Sequence, residues 1–483
     1  MVFSSLSFLN IFLPATLIVA LLAHRVGGAR ASNLALLAAS AVFYMWGVGA
    51  AFAPVLLASI SVNYAIGLWA HAARESDQAR TRLPVIAAVA LNVLLLGYYK
   101  YANFFVAETQ GLREALGFAP LVWDNVILPV GISFFTFQSM SYVFDVASGR
   151  ARVLKNPLDF ALYVALFPQL IAGPIVRYSI IAEDLRRRTV SARGLREGVV
   201  RFTHGLVKKV VIADSAGAIA DAIFALPEGD LTAGASWLAV VAYTVQIYFD
   251  FSGYSDMAIG IGKMLGFNFP ENFNRPYAAL SVTDFWRRWH MTLSNWFRDY
   301  VYIPLGGSRG GPVRTYINLW TVFVLTGVWH GANWTFLIWG LYHGALLVVE
   351  RALGLREAKS DLRGGAAEYV ARRVAVFLLV MIGWVFFRSP DLGFAASMLA
   401  GMFSFADMAV PASAAVGLNG SDVFFMAVGV VIAVAPPASW RGPNAYEGAY
   451  GRIVQALLLL AAFPYALVKV TSGTYSPFLY FQF

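Results

Sequence analysis

The sequence predicts an all-α polytopic membrane protein. Of 483 residues, 59% are hydrophobic and only 13% charged, far from the balance of soluble domains. Apolar runs approaching the roughly 20 residues that cross a hydrocarbon core recur from near the first residue to near the last. Between the early runs, arginines gather in alternate loops, the pattern that fixes orientation in a bilayer.

The first run, residues 8–23, lacks the basic n-region and small-residue cleavage site of a secretory signal and is read as a retained helix. Further spans are expected at 33–47, 51–70, 83–99 and 127–147. Arg25 and Arg30, then Arg74, Arg80 and Arg82, then Arg150, Arg152 and Lys155 fall on one side by alternation. That side is the cytoplasm, which puts Met1 outside. The next run, 158–176, breaks the alternation, because Arg177 and Arg186, Arg187 and Arg188 follow it. It also contains Pro168 and the Gly173-Pro174 pair, so a re-entrant pair of half-helices is expected rather than a crossing. Later spans are expected at 199–226, 235–251, 316–347, 374–387, 423–435 and 454–470.

Between residues 252 and 313 the chain turns polar, with glycine, asparagine, arginine and aromatics interleaved. The stretch FWRRWHMTLSNWFRDYVYIPLGG (285–307) places Arg287, Arg288, Arg298 and Asp299 among tryptophans, phenylalanines and tyrosines, the profile of helices lying along the membrane interface. The run DFSGYSD, with Asp250 and Asp256, does not fit an EF-hand loop and is read as a buried polar network at a span's end, orienting the segment behind it.

Six histidines can be weighed. His24 and His71 sit at span ends beside arginines, and His204 lies next to Lys208 and Lys209; all three read as interfacial. His330 differs. Counted from Tyr316 it lies about 21 Å into its span at 1.5 Å per residue, where an ionisable group marks a functional site or lined cavity by default. A neutral imidazole there is the form a general base needs. Gly327 and Gly331 remove bulk on either side, so a ligand or another backbone can approach. On one continuous helix His343 would face about 220° away from His330, and His290 could reach it only through tertiary folding.

Other chemistries fail. The absence of cysteine removes disulfides, thiolate metal sites, palmitoylation and a cysteine acyl-enzyme. The GGSRG stretch around Ser308 fits a nucleophile-elbow pattern, but no strand precedes it. No histidine begins the H-x-x-x-x-D pattern of soluble-type glycerolipid acyltransferases. A net charge of +9 suits cytoplasmic loops facing anionic lipid better than nucleic acid. No internal repeat supports a solenoid or an inverted-repeat transporter.

YFDFSGYSDMAIGIGKMLGFNFPENFNRPY (248–277), DFWRRWHMTLSNWFRDYVYIPLGG (284–307) and GVWHGANWTFLIWGLYHG (327–344) together resemble the signature of membrane-bound O-acyltransferases. The likeness is strongest to the bacterial branch that contains the alginate O-acetyltransferase membrane subunit and the teichoic-acid D-alanyl transfer protein. It extends to ILPVGISFFTFQSMSYVFDV and LFPQLIAGPIVR, about half the chain in the right order. The resemblance implies one membrane O-acyltransferase domain over 1–483, with N-terminal helices 1–150, a catalytic core 151–350 and C-terminal helices 351–483. It implies roughly 10–12 transmembrane helices with re-entrant and interfacial helices around a central channel. His330 in W-H-G corresponds to the catalytic histidine and His290 in R-W-H to the second histidine of the branch. Trp329, Asn333, Trp289, Arg288 and Asp250 are candidates for holding substrate or donor, and His290, Trp329 and Asn333 are candidates for positioning the thioester or stabilising its oxyanion, a role the resemblance supports for His290 alone.

The expected reaction moves acetyl from acetyl-CoA to a polysaccharide or carrier hydroxyl, with no bound cofactor and no metal. The expected setting is a bacterial inner membrane, N-terminus periplasmic, beside lipid and a periplasmic acetyltransferase partner, with no nucleic acid. The competing reading is a non-enzymatic channel or exporter subunit for a cell-surface polymer.

Overall fold

A computed structural model describes residues 2–171, 173–355, 365–404, 407–415, 418–435, 453 and 455–472, and among these the regular structure is helical throughout. The described residues group into two compact units, Met1–Val199 with Ala258–Pro270, and Val200–Met257 with Glu271–Phe483.

In the first unit a π-helical turn, Phe8–Phe12, leads into α1 (Leu13–Val48). Gly27 and Gly28 interrupt α1 with non-helical dihedrals, Gly28 at φ 66°, so the turn between the first two expected spans is built by glycine where the sequence places Arg25 and Arg30. α2 (Ala53–Ser76) and α3 (Arg82–Leu96) follow, the latter continuing through a π turn into α4 (Ala102–Ala115). α5 (Ile132–Ser148) starts only after Gly131, five residues later than the apolar run begins. Among the described residues, four helical stretches are long and apolar enough to cross a membrane: Phe8–Gly47, which contains the glycine turn, Ala50–Ser76, Gln78–Ala115 and Gly365–Arg388.

The proline-bearing run breaks as its residues predict. α6 (Pro157–Ala165) ends at Leu166, α7 (Phe167–Leu170) is one turn, and α8 (Tyr178–Arg186) begins after irregular backbone. Nine residues rise only about 13 Å, too little to span. The irregular backbone is served from within: Tyr163 Oη donates to the Val176 carbonyl at 3.0 Å and Ser40 Oγ accepts from Phe167 N at 3.1 Å. Phe3, Phe8, Phe12, Phe43 and Phe167, all buried, close around this element with ring centroids 4.8–6.4 Å apart. Arg188, in the loop after α8, is itself buried, donating to Ser32 Oγ at 2.8 Å and lying over the Phe267 ring.

α9 (Ala192–Val207), a π turn (Lys208–Ala213) and α10 (Asp214–Phe224) occupy the 199–226 run. α11 (Ala233–Met264) is longer than the 235–251 span expected, because Ser255 and Asp256, after Phe251, find their partners within the fold. Asp256 is held by Arg201 at 2.6 Å and Lys208 at 2.7 Å, and Arg201 also reaches Glu271. The backbone of Gly253 lies against that of Gly205.

In the second unit α12 (Val282–Trp286) and α13 (Met291–Phe297) are the short helices of the aromatic segment. They precede α14 (Gly311–His330) and α15 (Trp334–Ala352). The single span expected at 316–347 is therefore two helices joined at Gly331–Asn333, where Gly331 takes extended backbone and the Asn333 side chain caps α15. α16 (Gly365–Arg388), α17 (Leu392–Ser404), the short α18 (Ala412–Ala415), α19 (Gly420–Val434) and α20 (Phe463–Thr471) follow among the described residues. In the expected 454–470 span, Val454 lies outside the described residues.

Candidate active site

His330 is the last residue of α14, not a mid-span residue, and it is buried. The hairpin presents it because two glycines let the helix backbones touch. A Cβ on Gly327 would stand 2.6 Å from the Phe336 carbonyl oxygen, and one on Gly340 would stand 2.5 Å from that of Phe323. The space that Gly327 vacates is thus taken by another backbone, the close approach that packs helices where lipid supplies no hydrophobic drive.

Aromatic rings enclose the His330 imidazole. Trp329, Trp339 and Phe387 meet it edge to face at centroid distances of 4.7, 4.9 and 4.9 Å, and Phe336 stacks at 6.5 Å. Trp339 also meets His343 at 5.3 Å, so both histidines lie against one indole. His343 is fully buried between Trp286 and Trp339.

His290 arrives from the aromatic segment. Its ring lies 6.3 Å from that of Trp329, so one indole stands beside both His290 and His330. His290 is buried, packs edge to face on Phe251 of α11, and adopts the left-handed conformation at φ 42°, ψ 53°. Arg275 is the other non-glycine residue with positive φ among the described residues. Such dihedrals cost a non-glycine residue about 1–2 kcal/mol and cluster at functional positions. Burial pushes the His290 imidazole down to about 3, so it is neutral.

The polar network expected of the DFSGYSD run reaches this ring. Asn272 donates to Ser255 Oγ at 3.0 Å and its Oδ1 lies 3.1 Å from His290 Nδ1. Asn272 and Thr292, which hold His290, were not singled out by the sequence; an asparagine in a loop has no local pattern that says which ring it will meet.

The remaining candidates fall into different surroundings. Trp289 is enclosed by Phe273, Phe285 and Trp384, with centroids 4.9–5.6 Å away. Arg288 is partly exposed and donates to Asp284 at 2.8 Å, one helical turn back. Asp250 is buried and paired with Lys209, whose ammonium also binds Asp214. Asn333 accepts from Thr335 N at 3.0 Å and donates to the Pro390 carbonyl at 2.7 Å, which makes it the cap of α15 and the tie to the loop after α16.

Comparison with known proteins gives this constellation a context. The sequence model of the membrane-bound O-acyltransferase family matches residues 73–389. A protein of Azotobacter vinelandii named probable alginate O-acetylase AlgI is 43% identical over the full length of both chains. The peptidoglycan O-acetyltransferase of Helicobacter pylori is 38% identical over 87% of this chain and 80% of its own. The teichoic acid D-alanyltransferase of Bacillus subtilis is 32% identical over 46% of this chain and 59% of its own. The family model covers both histidines and the described residues include several helices long and apolar enough to cross a membrane, so the chain is a multi-pass membrane enzyme of acyl transfer and belongs to the membrane-bound O-acyltransferase family.

Proposed function

We propose that the protein transfers acetyl from cytoplasmic acetyl-CoA to a hydroxyl on the outer side of the membrane, for O-acetylation of an alginate-like extracellular polysaccharide, with His330 as general base. One observation carries the reading: a buried imidazole at a helix end, enclosed by Trp329, Trp339 and Phe387, with His290 across Trp329.

The acceptor O–H donates to His330 and passes its proton to the ring as the oxygen attacks the thioester carbonyl carbon. Collapse of the tetrahedral adduct breaks the C–S bond, and the departing thiolate takes the proton back from the imidazolium. Ester and free thiol result. Direct transfer needs no protein thiol, in keeping with a chain that has no cysteine. Trp329 stands beside both histidines. Trp289 backs it through the aromatic wall, Arg288 and Asp250 hold the neighbouring elements through their ion pairs, and Asn333 fixes the turn that carries His330.

Acetyl as the group, and a polymer as its destination, are supported by the names of the alginate and peptidoglycan relatives. The arginine-rich loops support an inner membrane setting with the N-terminus periplasmic. Donor then enters from the cytoplasm and acceptor from the opposite face, where a periplasmic acetyltransferase partner would hand the group to the polymer.

The test is polymer-bound acetyl in cells carrying wild-type protein, His330→Ala or His290→Ala, with membrane levels of each checked. Loss of acetylation with continued polymer export and normal accumulation of His330→Ala supports the reading. Persistent acetylation makes His330 structural and overturns the mechanism; loss of export with either variant favours the exporter.

A further inference from the structure

We infer that Asn272 is a positioning residue that sets which nitrogen of His290 faces the reacting groups. This rests on the reading just proposed, in which His290 stands beside His330 at the site of transfer.

The orientation of the Asn272 amide is fixed by an unambiguous donor. The backbone N–H of Thr292 points at Asn272 Oδ1 across 3.3 Å, and a backbone N–H only donates, so that atom is the oxygen and not the nitrogen. The same oxygen accepts from Thr292 Oγ1 at 2.9 Å and lies 3.1 Å from His290 Nδ1. An amide oxygen only accepts. His290 Nδ1 therefore carries the proton, and in the neutral ring Nε2 bears the lone pair.

The geometry around the amide is over-determined. Asn272 Nδ2 donates to Ser255 Oγ, anchoring it to α11. Backbone bonds from Met291 N to the Asn272 carbonyl and from Asn274 N to the Arg288 carbonyl, each 2.9 Å, pin the two segments together and hold His290 in its left-handed conformation. Asn272, buried on the loop after α11, thus fixes the tautomer and helps fix the backbone of one ring.

The chemical consequence is specific. His290 Nε2 meets substrate as a hydrogen-bond acceptor, taking the O–H of a hydroxyl neighbouring the attacking one and so placing the attacking O–H beside His330. It does not donate to the oxyanion, the role the sequence left open for it. The proton of the attacking hydroxyl still leaves to His330; His290 orients the acceptor molecule.

The test uses the full chain in cell membranes, with polymer-bound acetyl normalised to protein level and ¹⁵N spectra of histidine-labelled protein assigned by difference from His290→Ala. Asn272→Leu should lower acetylation about 10- to 100-fold, the usual cost of removing a partner that orients a functional histidine. Its His290 signal should move from the Nδ1–H to the Nε2–H form. Asn272→Asp keeps an acceptor oxygen and should restore most acetylation together with the Nδ1–H signal. If Asn272→Asp fails to accumulate, the spectrum of Asn272→Leu decides alone. Wild-type acetylation by Asn272→Leu while His290→Ala is inactive overturns the inference and leaves the proposed function standing, as does an unchanged Nδ1–H signal in Asn272→Leu. Full acetylation by His290→Ala overturns the reading on which the inference depends.

Discussion

Glu350 offers a quantitative test of how the aromatic segment is anchored. This buried carboxylate near the end of α15 is 9% exposed, and it accepts from the backbone N–H groups of Val282 and Thr283 at 2.7 and 2.8 Å and from the Thr283 hydroxyl. Those N–H groups open α12, the short helix that leads through Arg287, Arg288 and Trp289 to His290. Glu350→Ala leaves both without their acceptor at the N-terminus of a five-residue helix that has little stability of its own. At about 1–3 kcal/mol for each buried donor left unmade, the loss is about 2–6 kcal/mol. Glu350→Gln keeps one acceptor oxygen and should lose about half as much, since hydrogen bonds to a charged group are roughly twice as strong as neutral ones. The assay is the rate of thermal inactivation and of limited proteolysis in detergent micelles, read beside polymer-bound acetyl in cells. Alanine should be the most labile, glutamine intermediate, and acetylation should fall in the same order as α12 loosens. An alanine variant as durable as wild type would refute the reasoning, because it would mean that these bonds do not hold α12 in the membrane.

Two more outcomes follow from packing and charge. Gly327→Leu forces a side chain into the Phe336 carbonyl 2.6 Å from where its Cβ must sit, so the α14–α15 hairpin should open and the protein fail to accumulate; normal membrane levels on an immunoblot would count against the close approach. Lys209→Met leaves Asp214 and Asp250 buried without their shared cation, expected to destabilise by about 3–5 kcal/mol, and Asp250→Asn in that background should recover part of the loss by thermal inactivation.

Much of this was written in local pattern. The apolar runs and the arginines between them locate the early helices, and Pro168 with Gly173 and Pro174 announces the break after α6, because each acts on its own few residues of backbone. Chemistry could be nominated in the same way: His330 is conspicuous for its company. What sequence hides is satisfaction at a distance. Ser252 to Asp256 look like the end of a helix until Arg201 and Lys208, some fifty residues earlier, are seen to neutralise Asp256. The turn at 331–333 was signalled by Gly331 and by Asn333 ahead of an apolar run, a capping pattern outweighed by the length of apolar sequence around it. Reading through that turn put His330 and His343 on one helix where the structure has two. Asn272 had no signal of its own, since its role exists only where two segments meet.

That His330 closes α14 has an electrostatic consequence. The carbonyls of a helix's last turn point past its end and concentrate about half a negative elementary charge there. A ring at that position sits where a newly formed cation is welcomed, and in the proposed reaction the imidazole becomes one at the moment it takes the hydroxyl proton. Stabilisation of about 1 kcal/mol, typical of a charge at a helix end, is worth about fivefold in rate, and in the proposed reaction it is selective for the transition state because a general base starts uncharged and gains its charge only as the proton arrives. In a setting with few mobile dipoles, the backbone of α14 would itself be part of the catalyst.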